Sequence, residues 1–209
     1  DFDLDLMTAN QSLDDLTARL LTGIGNILDK TKPQRVVVQG DTATAMCGAL
    51  AAYYRQIPVS HVEAGLRSYN IYHPWPEEVN RKIIGTIADQ HFAPTQTSAD
   101  ALKSENIPAE QIYVTGNTVI DALLITANNT NISSDLNTTL TRLYEKYNSR
   151  RIIGVTSHRR ENLGDGLTHI ASALRALAER DDVALIFPVH LNPKVRAIMQ
   201  DALGDLDNV

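Results

Sequence analysis

Residues 35–67 read RVVVQGDTATAMCGALAAYYRQIPVSHVEAGLR. Three valines at 36–38 run into Gly40-Asp41-Thr42, an alanine-rich stretch follows to Arg55, and a second β-branched run at 58–62 ends on Glu63-Ala64-Gly65. A short apolar run, a helix-forming stretch and another short apolar run make a strand–helix–strand unit. Strands that are apolar throughout suit a parallel sheet buried on both faces. The alternation continues outward in both directions. Strands are expected at 90–93, 112–114, 151–155 and 183–187, and helices at 12–28, 76–88, 97–105, 118–128, 136–147, 165–179 and 193–203. In the first helix Leu13, Leu16, Leu20 and Ile24 share a face, and Ser12-x-x-Asp15 is a loose capping box. Pro76 suits a first helical position. This spacing predicts a doubly wound α/β fold.

The 209 residues lie between one domain and two, and 43% hydrophobic with 21% charged residues is ordinary for a folded domain. Nineteen Lys and Arg against 25 Asp and Glu give a net charge of −6, which argues against a general electrostatic grip on nucleic acid or anionic membrane. The single cysteine, Cys47, excludes an internal disulfide framework and suits a reducing compartment. No apolar run nears the roughly 18 residues of a membrane helix, and the acidic start is unlike a signal peptide. A soluble, cytoplasmic protein is expected, with the Asn-x-Ser/Thr triplets at Asn128, Asn131 and Asn137 as chance matches. The polar stretch 128–134 reads as a loop between helices. The chain opens like an arriving strand and stops at Asp207-Asn208-Val209, where another should begin, so it reads as a piece of a longer protein.

In open α/β sheets ligands bind beyond the carboxyl ends of the strands. Four loops there carry unusual residues: Gly40-Asp41-Thr42, His61-Val62-Glu63-Ala64-Gly65-Leu66-Arg67, His158-Arg159-Arg160-Glu161-Asn162 and His190-Leu191-Asn192-Pro193. Asp41 taken alone reads as a helix N-cap. Glu63 belongs in the crevice, where burial requires a partner, with Arg67 near in sequence, or a raised pKa suited to acid/base work. Glu77 and Glu78 suit the positive end of a helix, and because adjacent helical residues point about 100° apart, at most one faces a common site. Trp75 reads as packing, His190 as a core histidine, and Asn117 as a domain crossing or a helix cap. His158 and the arginines after it, followed by a Gly-bearing loop, suit a diphosphate and equally an exposed basic turn. Metal signatures, a Walker A loop and GxGxxG are all absent, so no metal, nicotinamide or NTPase site is expected. Spacing alone ends at an acidic crevice with a basic, anion-binding edge, which fits an enzyme on a phosphate-bearing sugar or nucleotide and equally a binding module.

Six stretches in unchanged order carry a resemblance: Gly40-Asp41-Thr42, Ile57 through Arg67, Pro74-Trp75-Pro76-Glu77-Glu78-x-Asn80-Arg81, Thr115-Gly116-Asn117-Thr118-Val119-Ile120-Asp121, His158-Arg159-Arg160-Glu161-Asn162 and Pro188-Val189-His190-x-Asn192-Pro193. Together they closely resemble the non-hydrolysing UDP-N-acetylglucosamine 2-epimerases of bacteria. The resemblance implies two Rossmann-like domains in a glycosyltransferase-B-like arrangement, 1–116 and 117–209, both incomplete, since the family's Gly-Thr-Arg-Pro-Glu loop and later Ser-Gly-Gly segment have no counterpart here. It implies Asp41, Glu63 and Glu77 as the three acidic catalytic positions and His158 as the histidine near the diphosphate, with Arg159 beside it in substrate binding. It implies C2 epimerisation of UDP-GlcNAc to UDP-ManNAc by anti elimination of UDP to 2-acetamidoglucal and re-addition, without nicotinamide or metal, in a homodimer that supplies cell-envelope polysaccharide. A second UDP-GlcNAc as activator would meet Arg19, Arg159 and His190. Gln39, Ala43, Ala45 and His73 depart from the family's usual residues and leave the sugar's substituents open. The alternatives are a hydrolysing relative and a non-catalytic UDP-sugar-binding module.

Overall fold

The computed structural model describes residues 1–8, 11–129, 133–157, 165–189 and 192–209. The chain divides into two compact units, Asp1–Asn128 and Asn129–Val209. Helix α1 (Leu13–Thr31) begins where its cap signal lies, with the Ser12 side chain accepting from the Asp15 N–H at 3.1 Å. It ends at Lys32, whose left-handed backbone brings its N–H to the Leu28 carbonyl. Leu20 and Leu28 are buried, and Leu21 and Ile24 pack against the core.

From there strands and helices alternate: β1 (Val36–Gln39), α2 (Ala43–Tyr53), β2 (Val59–Val62), α3 (Glu77–Ile87), β3 (Gln90–Ala93), α4 (Gln96–Ser104) and β4 (Ile112–Val114). The four strands form one parallel sheet in the order β1-β2-β3-β4. The order advances one strand at a time, so the reversal that marks a doubly wound sheet is not found among the described residues. Val38 and Val59 meet Ala45, Ala49 and Ala52 of α2, whose small side chains let the helix lie close to the sheet. Helices α1 and α3 both pack against α2. A second cluster of Ala64, Ala93, Ala99 and Leu102 seats α4. Burying a side chain such as Ile84 or Leu102 contributes about 1.5–3 kcal/mol.

Burial on both faces, expected of every strand, holds for β2, where Val59, Ser60 and His61 are all buried. It fails for the edge strands: Val37 in β1 is 64% exposed, and Tyr113 and Val114 in β4 are exposed. Alternate strand residues face opposite sides, and the helices cover one of them. Trp75 also departs from expectation, because it is 52% exposed and lends no packing to the core.

Helix α5 (Thr118–Asn128) closes the first unit, which places it before the division at 128/129 and after the boundary expected at 116/117. Asn117 acts as its cap, the side-chain oxygen accepting from the Val119 N–H at 3.0 Å. The second unit holds α6 (Ser134–Lys146), β5 (Arg151–Gly154), α7 (Asp165–Ala178), β6 (Val183–Ile186) and α8 (Pro193–Leu203). Strands β5 and β6 are parallel, and Leu167, Leu174, Leu185, Val195 and Met199 are among its core. The buried Asn208 side chain donates to the carbonyls of Ala178 and Val183, and the Asn208 backbone carbonyl accepts from the Leu185 N–H. Among the described residues no helix is long and apolar enough to cross a membrane.

Candidate active site at the carboxyl ends of β1 and β2

Strand β1 delivers Gly40 and Asp41, and β2 delivers Glu63, at the same end of the sheet. Gly40 has φ +73°, its N–H donates to the Val62 carbonyl, and its carbonyl accepts from His61 Nε2 at 2.8 Å. Carbonyl oxygens only accept, so the His61 hydrogen sits on Nε2. Glu63 itself has φ +67°, a backbone cost of about 1–2 kcal/mol for a residue with a side chain. Its Oε2 lies 3.9 Å from where a Cβ at Gly40 would stand, so the carboxylate sits over the Gly40–Asp41 turn.

Two residues on, Gly65 has φ +87°, and a Cβ there would stand 2.2 Å from the Ser98 carbonyl oxygen. Gly65→Ala is therefore expected to lower stability by about 2–4 kcal/mol in urea denaturation, from left-handed strain plus overpacking. A loss below about 0.5 kcal/mol would show that α4 moves aside freely.

Asp41 does not cap α2. Thr42 does, accepting from the Ala45 N–H at 3.2 Å. The Asp41 carboxylate is instead held by Arg81, whose Nε and Nη2 reach one oxygen, Oδ2, at 2.8 and 2.6 Å. Asn80 Nδ2 donates to the Asp41 backbone carbonyl at 2.8 Å. Helix α3 thus grips both the side chain and the main chain of Asp41.

Of the two adjacent glutamates, Glu78 turns inward and is fully buried. Its carboxylate accepts from the N–H groups of Ser68 and Tyr69 at 3.0 and 3.1 Å and pairs with Arg81 Nη1 at 3.1 Å. Burial alone would push this carboxyl up, but the two amides and Arg81 together hold it below the usual carboxylate range. Glu77, one position earlier, is half-buried, and no cation or amide holds its carboxylate among the described residues. Glu63 is likewise unpaired there, because the expected partner Arg67 turns away. The Arg67 side chain is almost wholly buried and makes a bidentate pair with Glu105, 2.8 and 2.7 Å long. That pairing ties the segment after Glu63 to the end of α4.

Of the three acidic positions that the resemblance implies, Asp41 is clamped by a guanidinium, and Glu63 and Glu77 have no such clamp among the described residues. The family resemblance singled out Asp41, Glu63 and Glu77, whereas the residues read by themselves made Asp41 a helix cap and Glu77 and Glu78 helix-end groups, and both readings missed the work of Glu78, Asn80 and Arg81. The available signal was helical spacing, since Glu78 and Arg81 stand three apart on one face of α3. Arg19 lies elsewhere, on α1, where it donates to Gln11 at 2.7 Å beside a shallow depression lined by Leu6, Thr22 and Asn26. His158, Arg159 and His190 fall outside the described residues. Among the described residues no three His, Cys, Asp or Glu side chains are placed to hold a metal.

A family model described as UDP-N-acetylglucosamine 2-epimerase matches residues 1–209. A probable UDP-N-acetylglucosamine 2-epimerase of Ralstonia nicotianae is 46% identical over the whole chain, which covers 56% of that protein. The structure of a UDP-GlcNAc 2-epimerase from Neisseria meningitidis bound to UDP-GlcNAc is similar over all of this chain and 57% of its own, at 41% identity and a TM-score of 0.90. The S. aureus MnaA–UDP structure is similar over 95% of this chain and 52% of its own, at 44% identity and a TM-score of 0.85. The chain spans about half the length of the curated relatives it matches.

Proposed function

Because the chain belongs to the UDP-N-acetylglucosamine 2-epimerase family, we propose that the complete gene product interconverts UDP-GlcNAc and UDP-ManNAc. What supports this most directly is the approach of Glu63 to the Gly40–Asp41 turn, against the helix that opens with Glu77. The proposed reaction begins as the C1–O bond breaks and UDP departs with the electron pair. Positive charge then develops at C1, and a fixed carboxylate stabilises it. Asp41, clamped by Arg81, suits that role. Loss of the C2 proton gives 2-acetamidoglucal. UDP adds back at C1 and a proton returns to the other face of C2, which needs two acid/base groups in different places. Glu63 and Glu77, free of ion pairs among the described residues, suit those roles.

His158 and Arg159 are proposed to hold the departing diphosphate so that it can return, with Arg19, Arg159 and His190 as contacts for an activating second UDP-GlcNAc. The atoms balance with no net oxidation. The wider setting proposed is a cytoplasmic homodimer with two domains in a glycosyltransferase-B-like arrangement.

Incubation of the complete gene product with UDP-GlcNAc in D2O is expected to give both UDP-sugar epimers with deuterium at C2, read by proton NMR. Free ManNAc and UDP as the products would mean a hydrolysing relative. No exchange at C2 would remove the UDP-GlcNAc reading.

A further inference from the structure

Arg81 is shared between two carboxylates of different standing. On one side is Glu78, fully buried, with both oxygens engaged by the Ser68 and Tyr69 amides. On the other is Asp41, whose side chain is 26% exposed. The guanidinium meets Asp41 through Oδ2 alone, leaving Oδ1 without a partner among the described residues. A carboxylate held this way cannot rotate freely, yet keeps one oxygen for a ligand. Glu78 in turn fixes the guanidinium and anchors the loop that continues from Glu63. One helix therefore sets the position of Asp41 and steadies the segment bearing Glu63, while carrying Glu77 at its first residue.

We propose that Arg81 is a positioning residue for the epimerisation, acting through Asp41, and that Glu78 is the anchor that holds Arg81 in place. The inference rests on the function proposed above. Asp41 would use Oδ1 to face the charge developing at C1, and Arg81 would keep that oxygen aimed. Misplacement of a reacting group by about 1 Å can cost on the order of 100-fold in rate.

The test is a double-mutant cycle on the complete gene product, with kcat and KM measured for UDP-GlcNAc. Arg81→Gln is expected to lower kcat about 100-fold with KM within about threefold. Arg81→Lys should recover about tenfold of that loss, because one ammonium can still meet Oδ2. In an Asp41→Asn background, Arg81→Gln should cost almost nothing more. If the two losses multiply, Arg81 does not act through Asp41 and the inference is overturned. A raised KM with unchanged kcat overturns it too, because Arg81 would then bind substrate. Should Arg81→Gln fail to fold, the Glu78→Gln/Arg81→Gln pair leaves no unpaired buried charge and takes its place in the cycle. An inert wild type overturns the functional reading together with this one, whereas an active wild type with additive losses overturns this one alone.

Discussion

Glu63→Gln is expected to cut turnover of UDP-GlcNAc by the complete gene product about a thousandfold, while its affinity for the sugar nucleotide changes less than about threefold. Proton transfer by a positioned side chain contributes roughly 10²–10⁴ in rate, and Gln keeps the shape of Glu while losing the ability to accept and return a proton. The substitution breaks no ion pair among the described residues. It leaves the left-handed backbone at 63 as it was, so melting should shift by less than about 2 °C. A loss of turnover with the fold and affinity intact marks an enzyme. A protein that merely binds UDP-sugars would bind Glu63→Gln as the wild type does and would have no turnover to lose. Turnover surviving the substitution would remove Glu63 from the proton transfers and leave Glu77 as the only unclamped carboxylate of the three.

Stability is expected to fall by about 3 kcal/mol between pH 6.5 and pH 4. His61 lies on β2 beneath the site and is buried at 1% exposure, next to His91 in the same register row. Burial pushes its imidazole down from 6.5 to about 4, a shift that its bond to the Gly40 carbonyl only partly opposes. His91, also fully buried, is pushed down for the same first reason. In the unfolded chain such a histidine takes its proton near pH 6.5. Between that pH and about 4 the unfolded state binds more protons, so stability is complete above 6.5 and drains away as pH falls. Glu78 adds a separate loss at lower pH. Its folded pKa is depressed, so its contribution is present above about 4.5 and disappears below. Urea unfolding from pH 7.5 to 4, on the wild type and on His61→Gln, separates these. The variant should show a flatter slope between 6.5 and 4.5. A wild type equally stable at 7 and 4.5 would mean that His61 is protonated within the fold.

Local pattern carried most of the architecture. The valine run at 36–38, the alanine-rich stretch after it and the punctuation by Gly40 and Gly65 define elements whose observed bounds differ from expectation by a few residues. For 90–93, 112–114, 118–128 and 193–203 the bounds agree. Chain order then puts Asp41 and Glu63 at the carboxyl ends of neighbouring parallel strands, so two of the three candidate acids were legible before any tertiary contact. Burial was less legible: Val36, Val37 and Val38 look alike in sequence, and only the position of the helices decides that Val38 is buried and Val37 exposed.

Partner choice at the site could not be read from the chain, because the partners are far apart along it. Arg81 meets Asp41 across 40 residues and Arg67 meets Glu105 across 38. Nearness in sequence favoured Arg67 for Glu63 and a capping role for Asp41, and both gave way once α3 and α4 had packed on the sheet. Between Glu77 and Glu78 the sequence determined only that one of them could face a common site. The tertiary structure turned Glu78 inward, where two loop amides and a guanidinium compensate a charge that burial would otherwise neutralise. Periodicity and strand order are properties of neighbouring residues and survive in the unfolded chain's sequence, whereas the partner of a buried charge exists only after distant segments meet and water has been excluded from between them.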